Sequence, residues 1–259
     1  MKLLKIRNYY NEAFLLQINM LYLIGLGLWD EKDISIRGLE TAKKCDFVFI
    51  EKYTSFWTGN LKNIGITAEE IKRTDLEDNV DKILEKSKDK DIAILIPGDP
   101  LVATTHISIL LEAKKKNIET KIIHSSSIFS AVLETGLQIY KFGKIATIPF
   151  YQTDVPYKIL EENLKNGAHT LFLLDITKEK LMSCAEGLKI LLNLENKFRK
   201  KLISKETEVV VFCRVGSSEQ ILKYDKIKNL IDLNCSPCVI IILGKLHFLE
   251  KEFLTSLKN

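Results

Sequence analysis

The sequence predicts an α/β fold in two successive domains, and three observations carry that expectation. Short runs of branched apolar residues alternate with longer amphipathic stretches along most of the chain, as strands and helices taking turns would require. With 46% apolar residues in 259, the chain can bury the core of one large domain or of two ordinary ones. Near the middle a polar turn, residues 138–144, breaks the alternation. The boundary is therefore expected between about residues 120 and 136, giving an extension at 1–19, an N-terminal domain at 20–125 and a C-terminal domain at 126–259.

The first strand, residues 20–24, runs into Gly25-Leu26-Gly27-Leu28, and residues 33–44 then carry helical spacing. Glycines there let a ligand approach the backbone, and a following helix start offers free N–H groups. The third glycine of the dinucleotide fingerprint is missing. A strand at 47–50, a loop through Gly65, a weak strand near Ile71 and one helix over 75–86 come next, with Val80, Ile83 and Leu84 inward.

The apolar strand 92–96 ends in Pro97-Gly98-Asp99-Pro100, and the spacing of Ile107, Leu110 and Leu111 predicts a helix reaching Lys116. Both prolines fix a φ angle and Gly98 relieves crowding, so Asp99 is held at the carboxyl end of the strand, where open α/β sheets bind ligands. An ordinary turn with Asp99 as N-cap accounts for the same residues. The strand 121–124 leads into Ser125-Ser126-Ser127-Ile128, a turn able to cap the helix that reaches Leu133. In the second domain strands are predicted at 145–149, 170–175, 209–213 and 239–243, with helices at 157–166, through Leu192 and at the end of the chain.

Composition narrows the function classes. A net charge of +4 from 38 basic and 34 acidic residues is too small a bias for a nucleic-acid binder, so no direct nucleic-acid contact is expected. The one basic cluster, residues 195–205, reads as a solvated loop or as a docking surface for an RNA-rich or acidic partner. Lys2, Lys5 and Arg7 precede an apolar run at 14–28, but Gln17 and Asn19 interrupt it and no small-residue cleavage site follows; it is also too short and polar to span a bilayer. Five cysteines, an odd number in a chain of this size, fit a reducing and hence cytoplasmic setting. Cys235-Ser-Pro-Cys238 has metal-ligand spacing but no second pair in sequence, so no metal is expected. No Ser-His-Asp order, glycosidase carboxylate pair or Walker lysine can be assembled, and no catalytic residue is assigned.

The string Gly98-Asp99-Pro100-Leu101-Val102-Ala103-Thr104-Thr105-His106 resembles the corresponding segment of the diphthine synthases, methyltransferases of the tetrapyrrole-methylase-like class. Residues 21–33, Glu51-Lys52-Tyr53-Thr54-Ser55, 169–175, Cys213-Arg214-Val215-Gly216-Ser217 and Gly244-Lys245-Leu246-His247 extend the likeness over nearly everything after residue 20. Leu28-Trp29 stands where the wider class more often has Pro-Gly. Cys238 occupies a position where many members have histidine, and residues 150–157 are shorter and lack a tryptophan often found there.

The resemblance implies a two-domain tetrapyrrole-methylase-like fold with S-adenosyl-L-methionine in the cleft between domains. It marks Leu28, Asp99, Val102, Ser127, Ile128, Leu174, Val215 and Cys238 as donor contacts, with the Asp99 carboxylate accepting a hydrogen bond from the donor. It also implies a homodimer that repeatedly methylates the amino group of a modified histidine on translation elongation factor 2 during diphthamide biosynthesis. A related methyltransferase acting on ribosomal RNA or a tetrapyrrole, and a nonenzymatic nucleoside-binding module, are the alternatives.

Overall fold

The structure, a computed structural model, describes residues 19–177 and 180–258. Apart from Asn19, the N-terminal extension lies outside the described residues. The chain begins β1 (Met20–Gly25), α1 (Ile36–Lys44), β2 (Phe47–Glu51), β3 (Glu69–Ile71), α2 (Arg73–Glu77), α3 (Asp81–Lys86), β4 (Ile92–Ile96), α4 (Ile107–Lys115) and β5 (Glu119–Ile123). Its five strands form one sheet in the order β3-β2-β4-β1-β5, every pairing parallel. β4 is buried along its whole length because helices cover both faces. Leu21, Leu23, Ile92, Ile94 and Ile96 face Leu76, Ile83, Leu84, Ile109 and Ala113, whereas Ile24, Ala93 and Leu95 pack with Ala42, Trp57 and Leu61.

Two local expectations need correction. The helix expected from residue 33 begins at Ile36, because the Ser35 hydroxyl accepts from Gly38 N–H at 3.0 Å and fixes the start there. The single helix expected over 75–86 is two. Thr74 O is taken by Asp78 N, Asn79 N and the Asn79 side chain, which closes α2, although Leu76, Val80, Ile83 and Leu84 stay buried in one helical phase. In α4, the helix expected to reach Lys116, Ile109 and Ala113 point inward while Ile107 and Leu111 are exposed.

The chain continues with α5 (Ile128–Ala131), β6 (Ala146–Ile148), α6 (Val155–Lys165), β7 (Thr170–Leu174), α7 (Cys184–Phe198), β8 (Glu208–Cys213), β9 (Ile221–Lys226), α8 (Ile227–Leu230), β10 (Cys238–Ile242) and α9 (Phe248–Ser256). The second sheet has the order β6-β7-β10-β8-β9, parallel between β6 and β7 and antiparallel elsewhere. The edge strand β9 was not expected, since Ile-Leu-Lys-Tyr-Asp-Lys reads as a loop until it pairs with β8. After β5 the buried residues change sheets: Ala131, Val132 and Leu137 pack with Val210, Phe212 and Ile241.

α9 is pinned by Glu250, which is fully buried and accepts from Gln138 N–H (2.9 Å), His247 N–H (2.7 Å), Lys141 Nζ (2.6 Å) and His169 Nε2 (3.2 Å). Burial alone would raise its pKa, but these four donors hold it down to about 2. Burial lowers the pKa of His169, keeping the ring neutral: Nε2–H donates to Glu250 and Nδ1 accepts from Gly244 N–H at 2.9 Å.

Candidate functional site at the sheet edge

The first site element is a pair of glycine turns locked to each other. β1 and β4 are neighbours, so their turns emerge side by side, and Gly98 N–H donates to Gly27 O at 2.8 Å while Gly27 N–H donates to Gly98 O at 3.2 Å. Both residues have positive φ, +84° and +73°, which a side chain would strain. A Cβ on Gly27 would lie 2.3 Å from Asp33 Cβ, whereas one on Gly98 would meet only Ser127 Cβ at 3.9 Å. The backbone at Gly98 is therefore open to a ligand.

Asp99 is 7% exposed and its carboxylate is engaged within the protein. Oδ1 accepts from Leu101 N–H at 3.1 Å; Oδ2 meets His124 Nδ1 at 2.8 Å and accepts from Ser125 N–H at 3.3 Å. It therefore ties the turn after β4 to the turn after β5. It does not cap a helix: α4 starts only at Ile107, after a coil in which Thr104 Oγ1 and His106 Nδ1 both meet Pro100 O at 3.0 Å. Ser127, in contrast, does cap α5, with its hydroxyl accepting from Phe129 N–H at 3.3 Å.

The turn after β2 is built by Glu51, fully buried at the strand end, whose carboxylate accepts from Tyr53 N–H (2.9 Å), Thr54 N–H (3.1 Å) and the Thr54 hydroxyl. Burial raises its pKa, against the pull of those bonds and of His106. Glu51 thus gives the Glu-x-Tyr-Thr-Ser motif a physical role, presenting Tyr53 to Phe56 along the sheet edge. This turn is joined to the turn after β1. Trp29 O accepts from Thr58 N–H and from the Thr58 hydroxyl, each at 3.0 Å, while Glu31 accepts from Asn60 N–H (2.8 Å) and Asn63 Nδ2 (2.7 Å).

These turns and the inner edge of the second sheet enclose a cavity of about 540 Å³, within the range of small-molecule sites. Leu28, Asp99, Val102, Ser127, Ile128, Leu174, Val215 and Cys238 all lie on its wall. They come from six separate stretches of chain and from both sheets. Spacing arguments missed Trp29, Phe56, Arg73, Glu77, Asp175 and Met182, which also line it. Trp29 follows the glycine turn directly and was legible there; Arg73 and Glu77 reach the cavity only because β3 pairs beside β2.

Folding also gathers four cysteines that are scattered in sequence. Cys184, Cys213, Cys235 and Cys238 are buried in one core, with Cys213 Sγ 2.7 Å from Cys238 Sγ across the β8–β10 pair. Burial pushes the Cys235 thiol up to about 12, and burial with the neighbouring thiols also raises the pKa of Cys238. Among the described residues no group of His, Cys, Asp or Glu is arranged to hold a metal, and no helix is long and apolar enough to cross a membrane. In the basic stretch Glu195 is the organiser, accepting from Lys201, Leu202 and Ile203 N–H, and Lys200 pairs with Glu161.

Comparison with known proteins matches residues 20–231 to the family described as Tetrapyrrole (Corrin/Porphyrin) Methylases. The chain is 45% identical over 250 residues to the diphthine synthase of Methanocaldococcus jannaschii, covering 91% of this chain and 97% of that one. It is 46% identical over 249 residues to the diphthine synthase of Methanococcus maripaludis, with the same coverage. A crystal structure of diphthine synthase superposes with a TM-score of 0.85 at 38% identity, covering 92% of this chain and 95% of the other.

Proposed function

The chain belongs to the tetrapyrrole methylases and, within them, to the diphthine synthases; from that premise we propose that its methyl donor is S-adenosyl-L-methionine, held in the cavity between the sheets, and its acceptor an amino group on a modified histidine of translation elongation factor 2. It is a methyltransferase of diphthamide biosynthesis. The observation that carries the reading of the site is the convergence of the eight residues marked by resemblance, from six stretches of chain, on one cavity wall.

The lining suits such a donor. Val102, Ile128, Leu174, Val215 and Cys238 offer apolar walls for a flat base, while the open backbone at Gly98 and the Ser127 hydroxyl offer polar contacts. Glu77, Asp99 and Asp175 outnumber the one guanidinium of Arg73, a balance that favours cationic ligands. Bound there, the donor would supply a methyl group on a sulfonium sulfur, an electrophile for the lone pair of the acceptor nitrogen. The work left to the protein is alignment and exclusion of water, which the locked glycine turns and the Asp99 tie perform by holding the cavity floor in one geometry.

Other parts of the assignment have their own support. The change of core after β5 supports domains at 20–125 and 126–259. The free cysteines suit the cytoplasm. A homodimer is supported by exposed apolar side chains on two adjoining segments, Leu133, Ile139 and Tyr140 on one and Phe248, Leu249 and Phe253 on α9.

Incubating the protein with methyl-labelled donor and elongation factor 2, RNA or a porphyrinoid tests the assignment. Label is expected on the elongation factor alone. Label on either of the others, or donor binding without transfer, would overturn it.

A further inference from the structure

The cavity lining comes in two sets of residues. Asp99, Val102 and Ser127 stand on the turns after β4 and β5; Trp29, Tyr53, Phe56, Arg73 and Glu77 come from the turns after β1 and β2 and from α2. The second set is aromatic and partly open, with Phe56 38% exposed although it sits beside a large ring. Trp29 and Phe56 have centroids 5.8 Å apart and planes tilted by 59°, so the two rings make a corner. The backbone that carries the corner is tied down: the Trp29 backbone N–H donates to Asp33 Oδ2 at 2.8 Å, and Thr58, two residues after Phe56, is bonded to Trp29 O.

The second set already holds one cation by an aromatic face, since the Arg73 guanidinium lies 5.1 Å from the Tyr53 centroid. Among the described residues no lysine or arginine sits over Trp29 or Phe56. Aromatic faces carry negative potential and attract cations, quaternary ammonium ions above all, because such ions have no N–H with which to hold water.

We propose that the Trp29–Phe56 corner is the acceptor subsite, holding the target nitrogen as an alkylated ammonium ion between transfers; each ion but the last sheds a proton to water at the partly exposed corner, which frees the lone pair for the next methyl group. The inference rests on the proposed transfer to an amino group. Each methyl removes a hydrogen-bond donor from the nitrogen and enlarges its apolar, charged shell. Contact with the rings therefore strengthens as contact with water weakens, and a partly methylated acceptor is retained for the next round.

The test uses the full chain and two small probes of similar shape, tetramethylammonium chloride and neutral tert-butyl alcohol, titrated by NMR. The wild type is expected to take the cation about two- to thirtyfold more tightly than the alcohol. Phe56→Leu, which keeps an apolar side chain and loses the ring, should abolish the preference, and Phe56→Tyr should restore it. Donor affinity should stay the same in both. With elongation factor 2 as substrate, mass spectrometry of the Phe56→Leu product should show fewer methyl groups per acceptor than the wild type adds. Equal affinity of the wild type for the two probes, or a preference that survives Phe56→Leu, would overturn the inference. A Phe56-dependent preference without any transfer to elongation factor 2 would uphold the cation subsite and remove the proposed acceptor instead.

Discussion

Asp99 shows how one side chain serves the fold and the site together. Its two oxygens face Leu101 N–H on one side and His124 and Ser125 N–H on the other, so the carboxylate joins the turns that end β4 and β5. Asp99→Asn keeps an oxygen for Leu101 and turns an amide group toward another donor. The loss of that acceptor costs about 1–3 kcal/mol, a fall in Tm of several degrees. Donor affinity measured by calorimetry is expected to fall about tenfold or more in the same variant; a lower Tm with unchanged affinity would confine Asp99 to holding the turn. Gly27 and Gly98 make a second contrast at this scale. Gly27→Ala must adopt φ +84° and push its Cβ into Asp33, whereas Gly98→Ala meets strain alone. Urea unfolding should show a loss of about 2–5 kcal/mol for the first and about 1–2 kcal/mol for the second.

Among the elements, α9 depends on a charge buried far from the cavity. Glu250 is ionised in the fold because four donors surround it, and its pKa of about 2 lies below the ordinary 4.5. A depressed folded pKa stabilises the native state at pH values above the unfolded one. That contribution is full above pH 4.5 and is lost as pH falls toward about 2. Glu250→Gln should remove about 3 kcal/mol at neutral pH, since it leaves Lys141 and His169 facing an amide, and should flatten this part of the acid limb. Stability against pH, measured by urea unfolding of both proteins, gives the comparison.

For the whole molecule, the proposed transfer to an amino group leaves the chemistry to that group's own lone pair. An α-amino group titrates near roughly 8, and only its free base attacks, so single-turnover transfer should rise with pH up to that region and then level off. A profile flat between about pH 6 and 9 would show that binding itself deprotonates the amine. The side chains of Phe248, Leu249 and Phe253 on α9 are exposed and apolar. If they cover a second copy, Phe248→Glu should turn a dimer into a monomer in light scattering without altering the fold, as Phe248 is 70% exposed.

The sequence by itself determined the alternating elements, because strand and helix periods are properties of local stretches. It also determined the family, because Gly98 to His106 and the other motifs are contiguous. The break between α2 and α3, the inner face of α4 and the existence of β9 were decided by tertiary structure. Each depends on a partner remote in sequence or on a competition for one carbonyl oxygen, as at Thr74 O. The same holds for the site. Resemblance named eight wall residues one by one, but that they enclose a single cavity follows from the strand order β3-β2-β4-β1-β5 and from the second sheet closing over it. Trp29 and Phe56 stand 27 positions apart and meet only because the loops after β1 and β2 are bonded to each other at Trp29 O and Glu31. Local periodicity carries no record of such contacts, since the energy that fixes them arises between segments that are neighbours only in the folded chain.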